Sequence, residues 1–182
     1  GGHTSVAPRD EREIVVLRHA WQQHAHVSFE RLLSGPGLTL MHQALAADAG
    51  QAGAALSAPE ITRRALDGSD RLCLDTIEVF CAMLGTAAAN LAVTLGAFGG
   101  IYIGGGIVPR LGAYFDRSPF RQRFEDKGVQ HEYVRAIGTC VIVASTPALS
   151  GMGWPASNVR MRARGVRRSC DMAPTMAVRS SM

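Results

Sequence analysis

Ala97-Phe-Gly-Gly-Ile-Tyr-Ile-Gly-Gly-Gly-Ile-Val-Pro-Arg110 contains a short apolar run, three consecutive glycines and the opening of an amphipathic segment. Gly100-Ile-Tyr-Ile103 predicts a short buried strand, and Ile107-Val-Pro-Arg-Leu111 a helix that starts directly after the glycines. A second strand is expected at Thr139–Ala144, closed by Ser145-Thr-Pro147, with a further helix over Pro147–Gly153. Strands that run into glycines and then helices indicate an α/β domain whose ligands lie at strand C-terminal ends.

Upstream the pattern is helical. Ile77, Phe80, Cys81, Leu84, Ala88, Leu91 and Leu95 follow the i, i+3, i+4, i+7 rule, predicting one long helix from Ser69 or Asp70 to about Leu95. Gly85 and Ala87–Ala89 make part of that helix thin, which allows another element to approach closely. Ser57-Ala-Pro-Glu60 has capping-box spacing and opens a helix ending near Gly68. Leu38–Ala47 reads as helix, Ala46–Ser57 as a surface loop, and Ser34-Gly-Pro-Gly37 as a chain break. Ser28–Leu33 is a short helical turn with Ser28 as its N-cap. Asp10–Gln23 is a first helix, with acidic residues in its first turn and an apolar stripe at Ile14, Leu17 and Trp21.

Composition sets the outer limits. An apolar fraction of 47% and a charged fraction of 19% are those of a globular protein with a proper core. Met83–Ile103 is the longest apolar candidate for a membrane span, but its glycines, asparagine and threonines read as core helix plus strand. No basic segment precedes an apolar stretch at the start, so Gly1-Gly-His-Thr4 is not read as a signal peptide. The net charge of +4 conceals an asymmetry. Residues 154–182 hold six arginines against Asp171, net +5, which leaves residues 1–153 at −1. That tail lacks periodicity and is expected to be disordered or non-native. Cys73, Cys81, Cys140 and Cys170 form no C-x-x-C pair. Buried free thiols in a reducing cytoplasm fit best.

Three features could carry chemistry. Gly104-Gly-Gly106 lets a ring or phosphate lie against bare backbone, although any tight strand-to-helix turn needs glycine. It is not a Walker A loop, since no Gly-Lys-Ser/Thr follows. His3 beside two glycines also reads as a flexible terminus. Glu30 in a first helical turn also reads as an offset to the helix dipole, and Phe124-Glu-Asp-Lys-Gly128 as a charged helix end and turn.

Together these segments resemble bacterial glucokinases. Gly-Gly-His3, Ser28–Gly37, Ala97–Arg110, Phe120–Gly128 and Pro147–Gly153 occur in that family in this order and at similar spacing, covering residues 1–153. The resemblance implies the C-terminal lobe of an actin-like, ribonuclease-H-like sugar kinase, a helix-rich α/β fold in which a second lobe closes over sugar and ATP. By the same resemblance His3 and Glu30 match positions that hydrogen-bond glucose, and Gly104, Gly105, Gly106 and Ile107 match the adenosine-side motif. Paired polar groups suit a polyol, whose hydroxyls both donate and accept. The implied cofactor is ATP with Mg²⁺, the implied assembly a homodimer, and the implied location the cytoplasm, with no membrane partner. Sugar kinases of the repressor–open-reading-frame–kinase group carry a Cys-rich zinc motif soon after the Gly-His. Val6–Trp21 contains no cysteine, so no zinc and no metal ligand is expected.

The family also has a glutamate immediately before Gly-Gly-His, and upstream of it an Asp-x-Gly-Gly-Thr phosphate turn, a second phosphate loop and an Asn-Asp pair. None has a counterpart in this sequence, which is read as a part of a longer protein, with its last helix cut short after Gly153. Phosphoryl transfer depends on positioning phosphates, Mg²⁺ and the attacking hydroxyl. These residues alone are therefore expected to bind glucose weakly or not at all and to show no turnover, with no catalytic residue among them. The alternatives are a non-catalytic, sugar-responsive regulatory or nucleic-acid-binding protein, or a gene remnant. Against nucleic acid, the arginine tail has no aromatic interleaving and no helix-turn-helix pattern.

Overall fold

The computed structural model describes residues 2–51, 55–142 and 159–161. Five helices come first: α1 (Glu11–Trp21), α2 (Phe29–Leu32), α3 (Gly35–Asp48), α4 (Ala58–Asp67) and α5 (Arg71–Leu95). Strand β1 (Ile101–Ile103) is followed by α6 (Ile107–Leu111), α7 (Ala113–Arg117), α8 (Phe120–Glu125), a single 3₁₀ turn and α9 (His131–Arg135). The chain then enters β2 (Thr139–Ile142), and Val159–Met161 forms β3. β1 and β2 are parallel, with Ile101 opposite Thr139 and Ile103 opposite Val141. Parallel strands need a crossover, and α6–α9 supply it.

Side-chain caps explain where α1, α2, α4 and α5 begin. Asp10 accepts from the Glu13 N–H, Ser28 from Arg31, Ser57 from Glu60, and Asp70 from both Leu72 and Cys73. Each satisfies donors that a helix start leaves orphaned. α5 is the spine of the core, packed against α3, α4 and α8. Its length and apolar composition would suffice to cross a membrane. Here it is a core helix, with Ile77, Phe80, Cys81 and Met83 buried against the neighbouring helices. Gly85 lies where a Cβ would come within 2.4 Å of the Phe120 carbonyl, so the thin part of α5 is the seat of α8.

Several sequence expectations are corrected. Ser34-Gly-Pro-Gly37 is no break but the first turn of α3: Ser34 caps it by accepting from the Gly37 N–H, and Pro36 occupies a first-turn position that needs no donor. Gly37 answers to packing, since a Cβ there would sit 2.1 Å from the Leu32 carbonyl oxygen. Gly37→Ala is therefore expected to cost about 3 kcal/mol in urea unfolding, the upper end for overpacking because backbone must move. α3 also runs on to Asp48, beyond the expected loop start at Ala46.

On α1 the buried face is Glu13, Val16, Leu17 and Ala20, while Trp21 is 55% exposed. Leu91 and Leu95, at the far end of the α5 stripe, are exposed as well. Val159–Met161 fell in the expected tail, yet it pairs antiparallel with β2, Ile142 opposite Val159 and Cys140 opposite Met161. The expected Pro147–Gly153 helix, the end of the second strand at 143–144 and the rest of the basic tail lie outside the described residues.

Candidate functional site

The N-terminal segment is laced onto the start of α2. Ser5 bridges Ser28, the Phe29 N–H donates to the Thr4 carbonyl at 3.2 Å, and the Glu30 N–H donates to the Gly2 carbonyl at 2.9 Å. A ring nitrogen of His26 lies 3.0 Å from the His3 carbonyl and holds the same segment from its other side. The result is that His3 and Glu30, 27 positions apart, meet: His3 Nε2 is 3.4 Å from Glu30 Oε2. A Cβ at residue 2 would come 2.7 Å from that same carboxylate oxygen, so Gly2 is what lets Glu30 fold back over the chain.

The two side chains are 85% and 61% exposed, and such a pair contributes little to stability. Both keep hydrogen-bonding capacity free for a ligand. They stand at a cleft of about 900 Å³. Its walls are the α1–α2 connection, with Gln23, His24 and His26, and the first turns of α3, with Ser34, Thr39 and Gln43. Arg31 joins the wall from α2, its Nη1 3.4 Å from His24 Nε2. This lining is rich in donors and acceptors on a partly apolar base that includes Pro36 and Leu40, as an uncharged polyhydroxyl ligand requires.

Sequence reasoning missed Gln23, His24, His26 and Arg31. The run Gln22-Gln-His-Ala-His26 was visible as a polar interruption between two helices. Only the fold of α1 against α3 turns it into a wall.

The glycine turn stands apart from this cleft and contributes nothing to its lining among the described residues. Gly104, Gly105 and Gly106 link the C-terminal end of β1 to α6 and are all exposed, with Ile107 half-buried behind them. Gly105 has φ +114°, a conformation that disfavours a side chain. Around Gly105 and Gly106 nothing lies within 4 Å of a would-be Cβ, so a flat ligand can reach this backbone.

Comparison with known proteins bears on the family of the chain. The family model described as Glucokinase matches residues 1–159. A glucokinase of Chromobacterium violaceum is 55% identical over 152 residues, covering 84% of this chain and 44% of that protein. A glucokinase of Neisseria meningitidis serogroup C is 50% identical over 151 residues, covering 83% and 46%. A "Bifunctional protein glk" of Burkholderia mallei is 53% identical over 153 residues, covering 84% of this chain and 24% of that one. Among solved structures, a glucokinase from an Antarctic psychrotroph superposes with a TM-score of 0.75 at 36% identity, covering 80% of this chain and 45% of that chain. The chain thus spans about half the length of the glucokinases it matches. A family match over nearly all of its described residues, with a shared fold, shows that this chain belongs to the glucokinase family.

Proposed function

We propose that these residues are the sugar-orienting part of a kinase that transfers the γ-phosphate of ATP to the 6-hydroxyl of glucose. The observation that carries this is the meeting of His3 and Glu30 at 3.4 Å over a polar cleft. A carboxylate accepts from one hydroxyl while an imidazole N–H donates to the same or the next, a combination that reads a polyol. Gly104–Gly106 and Ile107 receive the adenosine side of ATP, and Mg²⁺ arrives on the nucleotide with no all-protein cage. An aspartate outside these residues activates the 6-hydroxyl, and the phosphate loops of the family lie outside them too. On this reading residues 1–153 are one catalytic lobe.

The reading is tested with the intact protein by following glucose 6-phosphate formation from ATP, Mg²⁺ and glucose. Turnover with glucose, with sugars lacking one ring hydroxyl strongly disfavoured, is expected. Phosphorylation of an unrelated acceptor in preference to glucose would overturn it. The 182 residues alone are expected to yield no glucose 6-phosphate, and turnover by them would refute the assignment of the catalytic base to another part of the protein.

A further inference from the structure

A second polar cluster lies where α3, α4 and the start of α5 meet. His42 projects from the core face of α3 and is only 7% exposed, and its Nε2 is buried with no hydrogen-bond partner among the described residues. Facing it are Asp70, the N-cap of α5, and the fully buried Cys73 in the first turn of that helix. One ligand atom from each of the three lies within 4.8 Å of the other two. Asp70 spends Oδ1 on the Leu72 and Cys73 N–H groups, at 2.9 and 3.1 Å, its carboxylate also accepts from the Cys73 thiol, and Oδ2 faces Arg64 Nη1 at 3.9 Å. A buried, unpaired imidazole nitrogen is costly, and native cores rarely keep one without a reason.

We propose that His42, Asp70 and Cys73 form a binding site for a thiophilic divalent cation of the zinc type. The donor set decides the class: one imidazole nitrogen, one thiolate and one carboxylate oxygen suit zinc and its neighbours, whereas Mg²⁺ and Ca²⁺ prefer oxygen alone. Metal bonds of ~2.0–2.3 Å place tetrahedral ligand atoms roughly 3.5 Å apart. Side-chain rotations of about an ångström therefore close the cluster on an ion, with water as the fourth ligand. On binding, the Cys73 S–H bond breaks, the sulfur–metal bond forms and the proton leaves to solvent.

One nearby charge opposes a cation. Arg64 Nη1 is 3.9 Å from Asp70 Oδ2, but its Nε is held by Glu60 Oε1 at 2.6 Å, which offsets its charge. The site departs from the expectation of no zinc, which rested on the wide spacing of the four cysteines and on their absence from residues 6–21. Its effect would be on α3, which carries Thr39 and Gln43 on the cleft side and His42 on the core side. A metal there ties the floor of the cleft to α5.

The test is a titration of the full chain, purified without a histidine tag and stripped with chelator under reducing conditions, with Co²⁺ alone. One equivalent is expected to give a sulfur-to-cobalt charge-transfer band in the near ultraviolet, removed by Zn²⁺. Cys73→Ser abolishes that band, and His42→Asn weakens cobalt binding about tenfold or more. A His24→Gln/His26→Gln double variant keeps the band, which separates this site from the histidines of the sugar cleft. Circular dichroism confirms that each variant is folded. No stoichiometric band in the folded wild-type chain, or a band that survives Cys73→Ser, overturns the proposal.

Discussion

On the proposed function, replacing Glu30 by alanine in the intact protein is expected to lower kcat/KM for glucose by about 10–150-fold, the equivalent of losing a charged hydrogen bond worth ~1.5–3 kcal/mol. The carboxylate is 61% exposed and its partner His3 85% exposed, so neither is needed to hold the fold. The unfolding free energy of the variant should accordingly stay within about 0.5 kcal/mol of the wild type. The specificity of the loss is the sharper test. A deoxy sugar lacking the hydroxyl that Glu30 accepts from should suffer little from the substitution, because the interaction is already missing. Equal losses with glucose and every deoxy sugar would place Glu30 outside the sugar contact.

Gly2→Ala provides a separate check on the same geometry. Its Cβ would approach Glu30 Oε2 to 2.7 Å, and the carboxylate, at the far end of a flexible side chain, moves aside. KM for glucose should rise while stability barely changes. Together the two variants distinguish a carboxylate that must be present from one that must also be aimed.

Much of this was legible in the residues because it was local. The caps at Asp10, Ser28, Ser57 and Asp70 are short-range chemistry, and all four start helices where expected. The strand–glycine–helix order at residues 100–111 was legible for the same reason. What failed depended on packing that the residue pattern does not show. Gly-Pro-Gly37 reads locally as a breaker; only the Leu32 carbonyl, packed against residue 37, explains a glycine inside a helical turn. Trp21 completes an apolar stripe in sequence, but the buried face of α1 is turned toward Val16 and Ala20. The pairing of His3 with Glu30 came from family resemblance, since neither residue alone signals it. His42, Asp70 and Cys73 carried no local signal at all, because nothing in the sequence says that α3 presents His42 to the start of α5.

Glu13 is the clearest case of a local reading that tertiary structure overrides, and it carries the largest expected effect on stability. In sequence it is one more acidic residue in a first helical turn. In the fold it is 1% exposed, its Oε2 accepting from the Arg9 N–H at 2.7 Å and its Oε1 from Arg123 Nη1 at 2.7 Å. Arg123 reaches across from α8 and also holds Asp10 at 3.0 Å, so this cluster clamps the N-terminus of α1 to α8. Removing one member of a buried pair strands the other charge, which typically costs ~3–5 kcal/mol. Arg123→Met is expected to lose that much in urea unfolding of the intact protein. Burial already pushes the Glu13 carboxyl above its usual range, while the Arg9 N–H and Arg123 pull it back. Without Arg123 it rises further. A carboxyl whose folded-state pKa is raised gives up stability as pH climbs through that value. The penalty of Arg123→Met should therefore be larger at pH 8 than at pH 5. A Glu13→Leu/Arg123→Met double variant, which removes both members of the buried pair and leaves only the half-buried Asp10, should recover most of the loss. A single variant costing under about 1 kcal/mol would mean that the ion pair does not hold the fold. A double variant no better than the single one would mean that the Arg123 stem, through its packing, matters more than the charge it carries.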